Sequence, residues 1–312
     1  MTEPESVTHS GAGTPVRLGR VLVATDFSDT AEVAVGWAAD VARYHGAVLH
    51  MVHALTLPAP VGEYVPATAD FGQELLAVAR AKLESAAEEA RATGLEVGLE
   101  VPIGVPSQAI LRTAQEIDAD LIVLGTRGLT GFAHLFLGST AERVVQRARC
   151  PVLTVHPGDA ERRRIRTIVA PTDFSAGAER AARVAHKLLA GLEDRARLVL
   201  VHAYHMPIEY TAYGPIPTSV NYLSDAGADA QERLDLLAAS FARQGLSVET
   251  VAREGYAPDV IVEEARARGA DLIAMGTHGR TGLAHLLLGS TAERVVQHAP
   301  CPVMTVRQEE KE

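Results

Sequence analysis

The sequence predicts an α/β protein built as two tandem domains, each a five-stranded parallel sheet with helices on both faces. Three observations lead there. At 312 residues the chain exceeds the roughly 100 to 200 residues of one ordinary domain. Hydrophobic residues make up 47% of it but aromatics only 4%, so the cores must be filled by Ala, Val and Leu, as in parallel sheets covered by helices. The chain also repeats itself: Gly125 to Val155 aligns with Gly276 to Val306 without a gap, with 7 mismatches in 31 positions.

The repeat extends upstream. Val21 to Ser28 (VLVATDFS) pairs with Ile168 to Ser175 (IVAPTDFS), and Val52-His53-Ala54 with Val201-His202-Ala203. These pairings set domains at 18–156 and 165–307, a polar connector at 157–164, and short tails at 1–17 and 308–312 expected to be disordered. In the first copy, Val21 to Thr25 reads as a buried strand and Ser28 as the N-cap of a helix, Asp29 to Tyr44, closed by Gly46. Val48 to His53 is the second strand, Phe71 to Thr93 a helix closed by Gly94, and Leu95 to Ile103 the third strand. Ser107 to Glu116 is a helix, Leu121 to Gly125 the fourth strand, Ser139 to Arg147 a helix, and Val152 to Val155 the fifth strand. Strands alternating with helices require right-handed crossovers and a parallel sheet, whose ligands bind beyond the carboxyl ends of the strands.

Composition excludes several function classes. Lys and Arg total 29 against 39 Asp and Glu, and the net charge of -10 repels phosphate backbones and anionic membranes, so nucleic acid is not expected as a partner. Met1 to Pro15 lacks the apolar region of a signal peptide, and no run approaches the ~18 apolar residues of a membrane span, so a soluble, cytoplasmic protein is expected. Cys150 and Cys301 each precede proline in equivalent places and form no metal-type spacing.

The chemistry-bearing residues cluster at strand ends. Gly125, Gly128 and Gly138-Ser139 follow the fourth strand with two and nine residues between them, and Gly276, Gly279 and Gly289-Ser290 repeat that spacing. Glycine after a strand lets backbone approach a ligand, and Gly138-Ser139-Thr140 opens a helix whose N–H groups attract anions. Ser139 to Glu142 and Ser290 to Glu293 also fit a capping box, in which the serine would serve only its own helix. Capping does not explain the earlier glycine pair, so an anion site is the expectation, with Ser290 and Thr291 the counterparts in copy two. Arg127 and His278 hold matching places between the first two glycines, within reach of a sugar or phosphate, and their difference implies unequal affinities.

Thr25-Asp26 and Thr172-Asp173 end the first strand of each copy. The aspartate either accepts hydrogen bonds from an adenine amine or a ribose hydroxyl, or closes an Asx turn into the next helix; position alone leaves both open. His53 and His202 end the second strands, and His134 and His285 fall between the glycines; without carboxylates at metal spacing, packing or a backbone hydrogen bond is expected of them, and no catalysis.

Taken together, the Thr-Asp-Phe-Ser and Val-His strand endings, the Gly-x2-Gly-x9-Gly-Ser loop and the terminal Cys-Pro-Val strand, occurring twice in order, resemble the universal stress protein family in its tandem form over nearly the whole chain. The resemblance implies a Rossmann-like, adenine nucleotide alpha hydrolase-like fold with strand order 3-2-1-4-5, and ATP binding by members with the intact glycine loop. It implies that Asp26 and the backbone at Ala54 contact adenine, Gly125 and Gly128 approach ribose and phosphates, and Gly138, Ser139 and Thr140 hold the phosphate tail. In copy two the same roles fall to Asp173, Ala203, Gly276, Gly279, Gly289, Ser290 and Thr291. Family members often carry Pro where copy two has Pro171 and copy one has Ala24. Their domains commonly pair through the last strands, here Val152 to Val155 with Val303 to Val306 within one chain. Antiparallel pairing would set Cys150 and Cys301 ~15 Å apart at ~3.3 Å per residue, too far for a disulfide. A homodimer of chains is a further expectation.

The leading functional expectation is an ATP-binding regulatory module of stress response, with Mg2+ or Mn2+ carried on the phosphates and hydrolysis slow at most. The only lysines are Lys82, Lys187 and Lys311, so neither glycine loop holds one to neutralise a transferring phosphate. The alternatives are an ATP-dependent adenylyl-transferring or hydrolysing enzyme, which would release AMP and pyrophosphate, and an interaction protein with vestigial nucleotide sites. The segments 55–70 and 204–224 differ most between copies and read as variable surface loops.

Overall fold

The computed structural model describes residues 18–57, 69–126, 128, 137–161, 164–189, 196–205, 208–211, 214–217, 220–242, 247–279 and 288–307. The first half runs β1 (Arg20–Ala24), α1 (Asp29–His45), β2 (Val48–Val52), α2 (Ala69–Ala92), β3 (Val97–Glu100), α3 (Pro106–Glu116), β4 (Leu121–Gly125), α4 (Ser139–Arg147) and β5 (Val152–Val155). The second half runs β6 (Thr167–Pro171), α5 (Ala176–Leu189), β7 (Arg197–Tyr204), a hairpin β8 (Ile208–Thr211) and β9 (Gly214–Pro217), α6 (Val220–Ala242), β10 (Ser247–Glu254), α7 (Ala257–Ala267), β11 (Leu272–Gly276), α8 (Ser290–His298) and β12 (Val303–Val306).

Ten strands form one sheet in the order β10-β7-β6-β11-β12-β5-β4-β1-β2-β3, so each half has its first strand in the middle and its third at the rim. Within each half every pairing in that sheet is parallel. The halves join where β12 meets β5 antiparallel, Val303 opposite Thr154 and Thr305 opposite Val152. The hydroxyls of Thr154 and Thr305 reinforce the seam by donating to Val303 O (3.0 Å) and Val152 O (3.3 Å).

Strand periodicity sorts the core. Val21 and Val23 face one side of the sheet and Leu22 the other, as do Ile168 and Ala170 against Val169. One side packs under Trp37 of α1, Leu83 of α2, Leu188 and Leu189 of α5, and Leu234 and Phe241 of α6. The other packs under Ile110 of α3, Val144 and Val145 of α4, Ile261 of α7, and Val295 and Val296 of α8. Both apolar layers pass from one half into the other without a break, so the halves share their cores as well as their sheet.

Some boundaries differ from the sequence expectation. The third strand stops at Glu100 rather than Ile103: Pro102 has no N–H to continue the ladder, and Ile103 makes only an isolated bridge to Leu55. Its counterpart β10, with no proline, pairs with β7 over all eight residues. The segment 204–224, read as variable loop, contains the β8–β9 hairpin and the start of α6; most of 55–70 lies outside the described residues. The first five residues of the connector have structure of their own. Pro157–Glu161 forms a 3-10 turn in which the buried Asp159 accepts the His156 N–H on its carboxylate (2.7 Å) and the Trp37 indole N–H on its carbonyl (3.0 Å). That indole bond ties the connector to α1.

Candidate functional site

Parallel strands within each half place all their carboxyl ends on one edge of the sheet, and the antiparallel seam sends the two edges in opposite directions. The strand order reverses between β1 and β4 and between β6 and β11, the place where sheets of this kind bind ligands.

At the end of β1 a chain of local bonds shapes the crevice wall. Thr25 N–H extends the ladder to Val52 O (2.9 Å), and the Thr25 hydroxyl accepts the Phe27 N–H (3.0 Å). Asp26 Oδ1 accepts the Ser28 N–H (3.1 Å) and hydroxyl (2.6 Å), while the Ser28 oxygen caps α1 at the Ala31 N–H (3.3 Å). Phe27 is thereby held at φ 63°, a left-handed conformation that a bulky side chain rarely adopts. Copy two repeats the arrangement: Phe174 N–H to the Thr172 hydroxyl (2.9 Å), Ser175 N–H to Asp173 Oδ1 (3.0 Å), and φ 62° at Phe174. Ala24 in place of Pro171 leaves this path unchanged.

The strand-two histidines belong to the same wall. His53 Nδ1 lies 2.9 Å from Thr25 O and His202 Nδ1 2.7 Å from Thr172 O; a carbonyl only accepts, so Nδ1 carries the proton. Each imidazole packs against the strained phenylalanine, with centroids 4.5 Å apart for Phe27 and 4.6 Å for Phe174. A cation from the second helix of each half covers the phenyl ring, Lys82 in one and Arg233 in the other. These histidines orient backbone, as expected.

The glycines do three different things. A Cβ on Gly125 would lie 2.8 Å from Thr30 Cγ2, and one on Gly276 would lie 3.1 Å from the Gly177 backbone, so these two glycines let α1 and α5 pack onto the strand end. The packing gives these glycines a structural role that the sequence reading did not include, and Gly276 also lines the cavity of copy two. A Cβ on Gly128 would lie 2.6 Å from Asp26 Oδ2, and one on Gly279 would lie 2.8 Å from Asp173 Oδ2. The aspartate makes the Asx turn through Oδ1, and its Oδ2 faces the glycine loop. Gly138 and Gly289 are helix N-caps whose N–H groups donate to Thr126 O (2.8 Å) and Thr277 O (2.9 Å).

The capping-box reading fails on that last point. The caps are Gly138 and Gly289, neither helix start carries a side-chain cap, and Ser139 and Ser290 stand exposed one residue further on. Glu142 and Glu293 bond along the helix to Gln146 (3.1 Å) and Gln297 (3.3 Å) instead of reaching back. The first-turn N–H groups of α4 and α8 are left to solvent or to a ligand.

In copy two a cavity gathers Thr172, Asp173, Ala203, Gly276, His278, Gly279, Gly289, Ser290 and Thr291 along its wall. His278 bonds the Thr277 hydroxyl through Nδ1 (3.0 Å), and its Nε2 is buried without a hydrogen-bond partner among the described residues. In copy one, Thr25, Asp26, Ala54, Gly125, Gly128, Gly138, Ser139 and Thr140 hold the matching places at strand ends and helix start, while Arg127, His134 and, in copy two, His285 lie outside the described residues. Sequence reasoning missed the apolar side of the cavity: Val201, Met275, and Ala257 with Ile261 of α7. The one-turn spacing of the last two was the available signal, indistinguishable from ordinary core patterning. No cluster of three or more metal-ligating side chains occurs among the described residues, and no described helix is long and apolar enough to cross a membrane.

The sequence profile of the universal stress protein family matches residues 18–156 and again 164–307. The chain belongs to the universal stress protein family. Among relatives from that family, one from Mycolicibacterium smegmatis is 30% identical over 295 residues, spanning 92% of this chain and 96% of its own. A universal stress protein of Thermus aquaticus, 43% identical over 138 residues, spans 43% of this chain and 96% of its own, so it corresponds to one half. The solved structure of a universal stress protein from Archaeoglobus fulgidus superposes with a TM-score of 0.68 at 20% identity, covering 94% of this chain and 97% of its own, and shares the tandem fold.

Proposed function

We propose that each half of this universal stress protein binds one ATP, and that the chain works in the cytoplasm as a nucleotide-dependent regulatory module of stress response. The observation that carries the reading is the helix start without a side-chain cap at Gly138 and Gly289, on the same sheet edge as the carboxylate that ends the first strand; in copy two Asp173 and Gly289 line one cavity. The two ends of the crevice suit the two ends of a nucleotide. First-turn N–H groups at Ser139, Thr140, Ser290 and Thr291 would hold phosphates, aided by the helix dipole. Asp26 and Asp173 repel phosphate but accept from ribose hydroxyls or an adenine amine, and the backbone at Ala54 and Ala203 lies at the same end. Val201, Met275 and Ile261 offer the base an apolar surface.

A divalent ion, Mg2+ or Mn2+, would travel on the phosphates. With no lysine in either glycine loop, phosphoryl transfer lacks the lysine that a P-loop supplies, and hydrolysis is slow. Arg127 and His278 would give the halves different affinities, and a homodimer of chains is the assembly we favour.

Calorimetric titration with Mg·ATP tests the proposal. Two sites per chain are expected, falling to one in Gly138→Val and to the other one in Gly289→Val, each variant still folded by circular dichroism. Absence of binding to the unmodified chain would reduce the glycine loops to helix starts and overturn the reading.

A further inference from the structure

Thr126 ties together three elements of the first site. Its N–H donates to Val155 O at the end of β5 (2.9 Å), its carbonyl accepts the Gly138 N–H at the cap of α4 (2.8 Å), and its hydroxyl lies 2.9 Å from His156 Nδ1. The other nitrogen of His156, Nε2, is 2.9 Å from Val296 O, in the last turn of α8 in the opposite half. A carbonyl cannot donate, so Nε2 carries the proton; in the neutral ring Nδ1 accepts from the Thr126 hydroxyl, whose one proton is shared with Val155 O at 3.2 Å. Val296 O is one of the terminal carbonyls that a helix leaves without an internal donor. Six residues back along this helix, about 9 Å at 1.5 Å per residue, is Ser290, the proposed phosphate seat of the second site.

The junction is reciprocal. Arg307 stands after β12 where His156 stands after β5, and its guanidinium donates to Gln146 O in the last turn of α4 (3.5 Å). Each half therefore grips the trailing end of the other half's phosphate-facing helix. On the His156 side the grip continues through Thr126 into the backbone that sets the start of α4.

From this geometry we infer that His156 is a positioning residue that couples the two nucleotide sites, a role that rests on the nucleotide reading above. Phosphate held at Ser290 and Thr291 fixes α8, and fixed α8 holds Val296 O against His156. The ordered imidazole holds Thr126 and with it the Gly138 N–H, so the first site meets its ligand already ordered. A second ligand that binds an ordered site loses less conformational entropy, and the coupling is positive in both directions.

The test is calorimetry with Mg·ATP, with the amide signals of Thr140 and Thr291 reporting each site separately. In the unmodified chain the first site is expected to bind about fivefold tighter than in Gly289→Val, whose second site is blocked. In His156→Leu that advantage disappears, and in His156→Gln it returns, because the amide can donate to Val296 O and accept from the Thr126 hydroxyl. Should His156→Leu fail to fold, Thr126→Val severs the same strut at one end and is read the same way. Equal first-site affinity with and without the second site, or an advantage that survives loss of the strut, overturns the coupling while leaving nucleotide binding intact. No binding in any chain overturns the nucleotide reading and the coupling with it.

Discussion

Asp26 Oδ2 lies 2.6 Å from where a Cβ on Gly128 would sit, and Asp173 Oδ2 stands 2.8 Å from the equivalent point on Gly279. Each aspartate leans into space that only glycine leaves open, and the loop and the carboxylate specify one another.

Gly128→Ala and Gly279→Ala should therefore push the carboxylate out of the crevice with little effect on the fold, because a methyl group at either place meets a side chain rather than a packed core. ATP affinity of the affected half should fall on the order of tenfold, about 1.4 kcal/mol, read by calorimetry. The apo thermal midpoint should stay within about 2–4 °C of the unmodified chain, a shift worth under about 1 kcal/mol. Unchanged affinity would mean that the carboxylate takes no part in binding.

Trp37, the only tryptophan, joins the core of α1 to the connector through its bond to Asp159 O. Trp37→Phe keeps an aromatic ring but loses that donor and part of the packed volume, at a cost of about 1–3 kcal/mol. Urea denaturation should show a lower midpoint with unchanged slope. A midpoint equal to that of the unmodified chain would show that the connector bond adds nothing.

How far these features were legible in the sequence depends on the range over which they act. The alternation at Val21-Leu22-Val23 and the Ser28 cap are local, and both appear in the structure. The start of α4 at Ser139 was legible, but Ser-Thr-Ala-Glu also fits a capping box one residue out of step; the extended backbone of Gly138, φ -64° and ψ 147°, makes that glycine the cap. The Trp37 to Asp159 bond spans 122 residues and the His156 to Val296 contact 140, and no local pattern encodes either. The contribution of α7 to the crevice stayed hidden because Ala257 and Ile261 look like any buried helix face.

Acid should weaken the fold through the half-buried His50 and the buried His186. Burial holds His50 and His186 below their ordinary value of 6.5, with Arg20 adding to the effect on His50 and Glu100 and Glu96 opposing it. The unfolded chain protonates these rings near pH 6.5 and the native chain only below it, so the unfolded state binds more protons and stability falls as pH drops from 7 towards 5. His186→Leu, which removes one titrating ring from a buried site beside Phe241, should flatten that decline in urea midpoints measured across the range. An unaltered slope would remove His186 from the account.

Thiol chemistry offers a separate check on the seam. Burial pushes the Cys150 thiol up to about 11, with Asp120 adding to the shift, and Cys301 is buried outright. The two cysteines precede antiparallel strands, and neither is in a disulfide. At pH 8 a thiol reagent should label the native chain slowly and the urea-unfolded chain at both positions. Fast native labelling of Cys150 would contradict the burial.

The central claim is that the uncapped starts of α4 and α8 hold the phosphates of two ATP molecules. The most direct measurement is amide NMR of the labelled chain during addition of Mg·ATP, following Ser139, Thr140, Ser290 and Thr291. Saturable shifts at all four, with a matching response at Gly128 and Gly279, are the predicted result. Saturation elsewhere on the chain with these amides unmoved would contradict it.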